Sequence, residues 1–212
     1  MHELKLYDMV PILSFLFQRG KCRYCKAKID PLSTFVEFFT GLLFAVSYYS
    51  FGFTWEFAIG LGIVSLLMIV LVSDLTYLII PDEVLIFFSI YFIIFQILNL
   101  GIVGALLKVV SGIFLFSVLY FIMLIGNKVL KKECLGGGDI KMMFVFGLIL
   151  EPLLGTLSIF LGSFIALPIS LILLRNQDEK QIPFGPFLLI ALAIIYFTKL
   201  TPDAVVNFLT YK

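Results

Sequence analysis

Long apolar runs cut by short polar breakers dominate this chain and restrict what it can fold into. Read against those breakers, the runs predict seven helices, near 33–53, 55–74, 82–99, 103–127, 138–150, 153–174 and 184–200. A helix needs about 20 residues to cross a hydrocarbon core of roughly 30 Å, and six of the seven approximate that length. The fifth, at about 13 residues, rises only about 20 Å. Apolar residues make up 61% of the chain and charged ones 14%, whereas a soluble domain is about half apolar and a quarter charged. The expected fold is therefore all-α: a polytopic membrane helix bundle of about seven transmembrane helices, preceded by a short cytoplasmic N-terminal segment. The length fits one bundle better than two domains.

Basic residues orient the bundle. Lys5, Arg19, Lys21, Arg23, Lys26 and Lys28 precede the first span, Lys128, Lys131, Lys132 and Lys141 surround the loop after the fourth, and Arg175 and Lys180 follow the sixth. Seven spans with a cytoplasmic N-terminus put all of these on one side and leave Lys108, Lys199 and Lys212 on the other, as the positive-inside rule requires. The division expected is residues 1–32 as a cytoplasmic basic segment, 33–200 as the transmembrane bundle and 201–212 as a short extracytoplasmic tail. The localisation implied is the inner (cytoplasmic) membrane.

Several classes drop out early. A net charge of +1 gives no support for a nucleic-acid partner. His2 is the single histidine, which removes Ser-His triads and HExxH zinc sites. Three cysteines make no even disulfide framework, and "MHELKLYDMV" lacks the basic-then-apolar opening of a cleavable signal peptide.

On this topology "SDLTYLIIPDEV" and "ECLGGGDIKMM" both come out cytoplasmic, and each sets an aspartate against a helix end. A carboxylate beside hydrocarbon is costly and usually marks function. Asp139 also suits a helix N-terminus as a cap, Asp74 suits an interfacial position facing water, and Asp82 reads as the N-cap of the third helix. Three features favour Asp74 and Asp139 as a pair. They share a side, the short fifth helix sinks Asp139 below the surface, and Gly136, Gly137 and Gly138 clear side chains where backbone must bend or be approached closely. Two carboxylates converging in a poorly solvated cleft share a proton, the arrangement of aspartic proteases. The ionised one takes a proton from water while the protonated one polarises a scissile carbonyl, and the pair titrates as a unit.

At these residues the sequence resembles the type IV prepilin peptidases, membrane aspartyl proteases of the GxGD group. Gly136-Gly137-Gly138-Asp139 with Lys141 matches GxGD-x-K, "SDLTYLIIPD" matches the stretch carrying the other catalytic aspartate, here Asp74, "KCRYCKAKIDPLSTFVEFFTGLLF" resembles the cysteine motif and the Glu-bearing helix after it, and "IPFGPFL" resembles a late PFGPF stretch. The resemblance implies an endopeptidase that removes the basic leader of type IV prepilins or type II secretion pseudopilins on the cytoplasmic side, after a glycine. Gly136, Gly137, Gly138, Lys141, Glu37 and Asp82 are its candidate substrate-binding or supporting residues. The sequence starts near "YDMVPILSFLFQRGKC" without the further helix and first CxxC pair usual in bacterial members. Peptidase activity is therefore expected without methylation of the new N-terminus from S-adenosylmethionine, and no cofactor is expected for proteolysis.

Cys22 and Cys25 have metal-ligand spacing but form only half a zinc site, since Cys134 lies far off. Glu37 reads equally as a partner of the aspartates and as snorkelling toward Lys26 or Lys28. Lys141 suits either a lipid phosphate or a loop carboxylate. "PFGPF" starts the seventh helix, with Pro186 tolerated in its first turn. Two other classes stay open: a membrane thiol-disulfide oxidoreductase using Cys22 and Cys25, and a small cation-coupled transporter using the aspartates.

Overall fold

The computed structural model describes residue 10 and residues 12–131, 136–175 and 183–210, with backbone only at 130, 173–175 and 209. His2, Lys5, Lys132, Cys134, Lys180 and Lys212 lie outside the described residues. Eight helices run through them: α1 (Leu13–Phe17), α2 (Pro31–Phe51), α3 (Trp55–Tyr77), α4 (Asp82–Leu130), α5 (Gly137–Ile149), α6 (Pro152–Arg175), α7 (Gly185–Phe197) and α8 (Pro202–Thr210).

Local chemistry sets the boundaries. Asp30 accepts the Leu32 N–H at 2.9 Å, with Pro31 at the first helical position, and so starts α2. Thr54 accepts the Phe57 N–H at 3.3 Å and starts α3. That helix ends where Leu78 turns left-handed (φ 54°, ψ 34°) and its N–H donates to the Asp74 carbonyl at 3.0 Å.

The 49 residues of α4 are interrupted at Gly101, whose φ of 75° and ψ of 177° favour glycine. The chain doubles back there. In a straight helix positions 96 and 111 would stand about 22 Å apart. Yet Gln96 Nε2 donates to the Leu148 carbonyl at 2.9 Å and Ser111 Oγ to the Leu150 carbonyl at 3.1 Å, neighbouring acceptors at one end of α5. Both halves of α4 therefore pack on α5, matching the two helices expected on either side of residue 101.

Two 13-residue helices, α5 and α7, form the centre. Ile140, Met142, Met143, Val145, Phe146, Leu148 and Ile149 of α5 are all buried, as are Leu188, Leu189, Ala191, Leu192 and Ile195 of α7. A helix apolar all round belongs in an interior, and α3, α4 and α6 supply the surrounding wall. Burial creates a problem at the C-terminal end of a short helix, because its last carbonyls lack intrahelical partners. Gln96 and Ser111 supply those partners for α5. On the outside, Ile86, Phe87, Ile90 and Ile94 of α4 and Phe160 and Phe164 of α6 are exposed. Such contiguous apolar surface on hydrogen-bonded helices is what lipid requires, and the chain is a membrane protein.

The expected count of seven crossings is not confirmed. Four helices are long and apolar enough to cross a membrane, Pro31–Phe51, Trp55–Tyr77, Asp82–Val129 and Pro152–Ile172, or five if α7 and α8, bent by 94°, form one broken span. The two helices expected at 82–99 and 103–127 count as the single α4, and length removes two more: α5 has the 13 residues expected of it, and α7 also has 13 where a full crossing was expected, because the chain turns at Thr198–Lys199.

Close approach of α4 and α5 rests on glycine. A Cβ on Gly147 would collide with the Gly112 backbone, and one on Gly112 would meet the Phe144 carbonyl oxygen at 2.8 Å. Gly147→Ala should therefore cost about 1–3 kcal/mol of stability, read as a lower unfolding midpoint in detergent. Gly41→Ala, with nothing within 4 Å of its Cβ, should leave the midpoint unchanged or slightly raised. Equal effects at the two positions would contradict this packing.

Candidate active site

Asp74 lies in the last turn of α3 and Asp139 is the third residue of α5. They are 7% and 8% exposed, the two buried carboxylates among the described residues, and they lie close enough to interact electrostatically. Burying a carboxylate without compensation is expensive. Here the compensation is the positive end of a helix, which favours a nearby anion. Asp139 occupies the first turn of α5, and the backbone N–H of Gly185, the first residue of α7, faces the Asp74 carboxylate. Each short buried helix thus directs its N-terminus at one of the two aspartates.

The N-cap of α5 is Gly136, so Asp139 sits inside the helix and does not cap it. The three glycines differ in what they permit. A Cβ on Gly136 would meet Asp139 Oδ2 at 3.1 Å, so its absence lets the carboxylate fold back over the helix start. Gly137 faces open space. Gly138 packs against Ile80, whose Cβ would lie 3.0 Å from an added methyl.

Ile80 joins both halves of the site. The same side chain lies 3.0 Å from where a Gly185 Cβ would stand, and that Cβ would also meet Asp74 Oδ2 at 3.2 Å. The segment carrying Ile80, between α3 and α4, is held by the Ser73 hydroxyl, which donates to the Ile79 carbonyl at 2.6 Å. Pro81 biases Ile80 toward an extended conformation. Neither Ile80 nor Gly185 stood out in the sequence. The available signal was Gly-Pro inside "PFGPF": a glycine at the first position of a helix puts a bare N–H at the helix N-terminus.

The supporting residues fall elsewhere than expected. Pro81, not Asp82, is the N-cap of α4, and no side chain caps that end. Asp82 is instead the first helical residue and accepts from Lys141 Nζ through both oxygens, at 2.8 and 2.7 Å. Lys141 therefore engages a loop carboxylate, one of the two partners expected, and joins the starts of α4 and α5. Both side chains are about half exposed, so the pair contributes little stability. Among the described residues Glu37 forms no ion pair with Lys26 or Lys28. It accepts the Ile12 N–H at 3.1 Å and so ties the N-terminal segment to α2. Cys22 is half-buried and Cys25 exposed in a separate turn before α2. Among the described residues no group of three or more His, Cys, Asp or Glu could hold a metal ion.

Residues 61–171, which hold both aspartates, the Asp82–Lys141 pair and the three glycines, match the model of the type IV leader peptidase family. The chain belongs to that family. Residues 1–51 match the bacterial Peptidase A24 N-terminal domain. Among its relatives, a prepilin leader peptidase/N-methyltransferase of Aeromonas hydrophila is 31% identical over 98% of this chain and 73% of its own length. Proteins of the same description from Bacillus subtilis (strain 168) and Pseudomonas aeruginosa are each 29% identical, over 95% and 94% of this chain and 79% and 70% of theirs. No solved structure matches. The chain is accordingly a protease acting on prepilins, and the thiol-disulfide and transporter readings are not favoured.

If Ile80 sets the spacing of the two aspartates, Gly138→Ala should slow leader cleavage about 10- to 100-fold by shifting them. Ile80→Ala in the same chain should restore part of that loss. A Gly138→Ala protein as fast as wild type, or one whose defect Ile80→Ala leaves unchanged, would contradict the spacer role.

Proposed function

We propose that Asp74 and Asp139 are the catalytic pair of this peptidase, hydrolysing the peptide bond between a prepilin's leader and its apolar segment. The observation that carries this is their joint burial and electrostatic contact at the N-termini of α5 and α7. One carboxylate takes a proton from water as that water attacks the scissile carbonyl, and the other donates a hydrogen bond to the carbonyl oxygen. The proton acquired then goes to the leaving amine. The pair titrates as a coupled unit, so neither residue is assigned the base role. Gly137, open to its surroundings, leaves room for an extended substrate backbone beside Asp139.

The topology proposed with this chemistry is seven passes with a cytoplasmic N-terminus in the inner membrane. The halves of α4 each serve as a pass, and α5 and α7 are short passes enclosed by the rest. It is supported by the clustering of basic residues on the side that holds the aspartates. A substrate whose apolar helix lies in the bilayer brings its scissile bond, after a glycine, to that depth. Type II secretion pseudopilins share this layout and are substrates on the same reading.

Asp74→Asn and Asp139→Asn should each lower cleavage of a prepilin by at least about 10²–10⁴-fold while the protein still inserts and keeps its unfolding midpoint. Retained cleavage in either variant would refute the dyad. The relatives named above are described as N-methyltransferases as well, and this proposal concerns the peptidase activity alone.

A further inference from the structure

The helix that carries Asp139 in its first turn is gripped at its other end. Leu148 lies about 14 Å from Asp139 along the axis of α5. Met142, Met143, Val145, Phe146 and Leu148 are all fully buried in the apolar core. Apolar packing holds such a helix sideways but is not directional, so by itself it does little to fix the depth or rotation of α5. Hydrogen bonds have the preferred distances and angles that can do so.

The Leu148 carbonyl receives such a bond. Four residues on, where an intrahelical donor would stand, the sequence has Pro152, which carries no N–H. Gln96 Nε2, from the first half of α4, donates there instead at 2.9 Å. Ser111 Oγ, from the second half, donates to the Leu150 carbonyl at 3.1 Å. The C-terminal end of α5 is thus tied to both halves of α4, beside the close contact of Gly147 with the Gly112 backbone.

The two donors differ in what they leave behind. A carbonyl acceptor fixes the Gln96 amide with its nitrogen toward α5. The other end of that amide, Oε1, is then buried with no hydrogen-bond partner among the described residues, on a side chain only 4% exposed. Gln96 therefore satisfies one buried acceptor and leaves another unsatisfied, so as an end cap it gains the fold little. Ser111 leaves no such orphan and is an ordinary cap. What Gln96 adds is geometry. We propose that Gln96 is a positioning residue for leader cleavage: by tethering the Leu148 carbonyl it sets the depth and rotation of α5, and through them the approach of Asp139 to Asp74. The inference rests on Asp74 and Asp139 being the catalytic pair.

The test compares the chain with its Gln96→Met variant in detergent, using a prepilin substrate. Methionine keeps the length of the side chain and removes both polar atoms, exchanging an unpaired Oε1 for an unpaired Leu148 carbonyl. Gln96→Met should therefore keep the unfolding midpoint and KM while lowering kcat about 10- to 100-fold, as an ångström-scale misplacement does. Ser111→Ala, which only leaves a carbonyl unpaired, should lower the midpoint. Ser158→Ala removes a buried hydroxyl that donates within its own helix, to the Gly155 carbonyl at 2.6 Å, and should leave kcat unaltered. In a cysteine-free chain carrying Asp74→Cys and Asp139→Cys, adding Gln96→Met should slow bridging by mercuric ion about tenfold. Wild-type kcat in Gln96→Met, a rise in KM alone, or unchanged bridging would overturn the proposal. A midpoint lowered as much as by Ser111→Ala would make Gln96 an ordinary cap and overturn it too. Cleavage retained by Asp74→Asn or Asp139→Asn would instead refute the pair itself, and this inference with it.

Discussion

Two carboxylates held inside an apolar bundle set the terms for the rest of this structure. An isolated carboxylate cannot be buried cheaply, and no lysine or arginine is paired with either Asp74 or Asp139 among the described residues. What the fold offers instead is the positive end of two helices, α5 at Asp139 and α7 at Asp74. A helix N-terminus contributes typically about 0.3–1 kcal/mol to a nearby anion and up to about 2 kcal/mol when partly buried. That is enough to favour the charge without neutralising it permanently, as an adjacent lysine would.

Other features follow from placing helix starts at that depth. The helices that start at the aspartates are short, α5 and α7 each having 13 residues. Short helices in hydrocarbon expose unpaired terminal groups unless protein surrounds them, so both are enclosed by longer neighbours. Enclosure of α5 needs the doubled α4, with its reversal at Gly101, its close packing at Gly112 and its donors Gln96 and Ser111 at the α5 carbonyls. The apolar exterior of α4 and α6 then faces lipid.

Much of this was legible in the sequence because it depends on local pattern. The apolar runs predicted the helices, the break near residue 101 separated the halves of α4, and the short fifth run pointed to a sunken Asp139. Four motifs in the right order pointed to the family. What escaped notice depends on how elements meet. The run through "FLLIALAIIYFTKL" reads as helix to Leu200, whereas α7 stops at Phe197 and the chain turns at Thr198–Lys199. Asp82 has the composition of an N-cap, but Pro81 already supplies the extended residue before α4, which frees the carboxylate for Lys141. Glu37 reads equally as a partner of the aspartates or of Lys26 or Lys28, whereas it accepts a backbone N–H from the preceding segment. Ile80 and Gly185 lie inside motifs quoted from the sequence, but their roles appear only once α3, α5 and α7 are assembled.

The central claim, that α3 and α5 bring Asp74 and Asp139 together beside the start of α7, is tested most directly by joining those positions covalently. A chain with Cys22, Cys25 and Cys134 replaced by serine and with Asp74→Cys and Asp139→Cys would be treated in its folded state with mercuric ion or a short bismaleimide. The structure predicts an intramolecular bridge that forms in the native protein and is lost when the protein is unfolded first. Failure to bridge, with each single cysteine still reacting with a monofunctional maleimide, would contradict it.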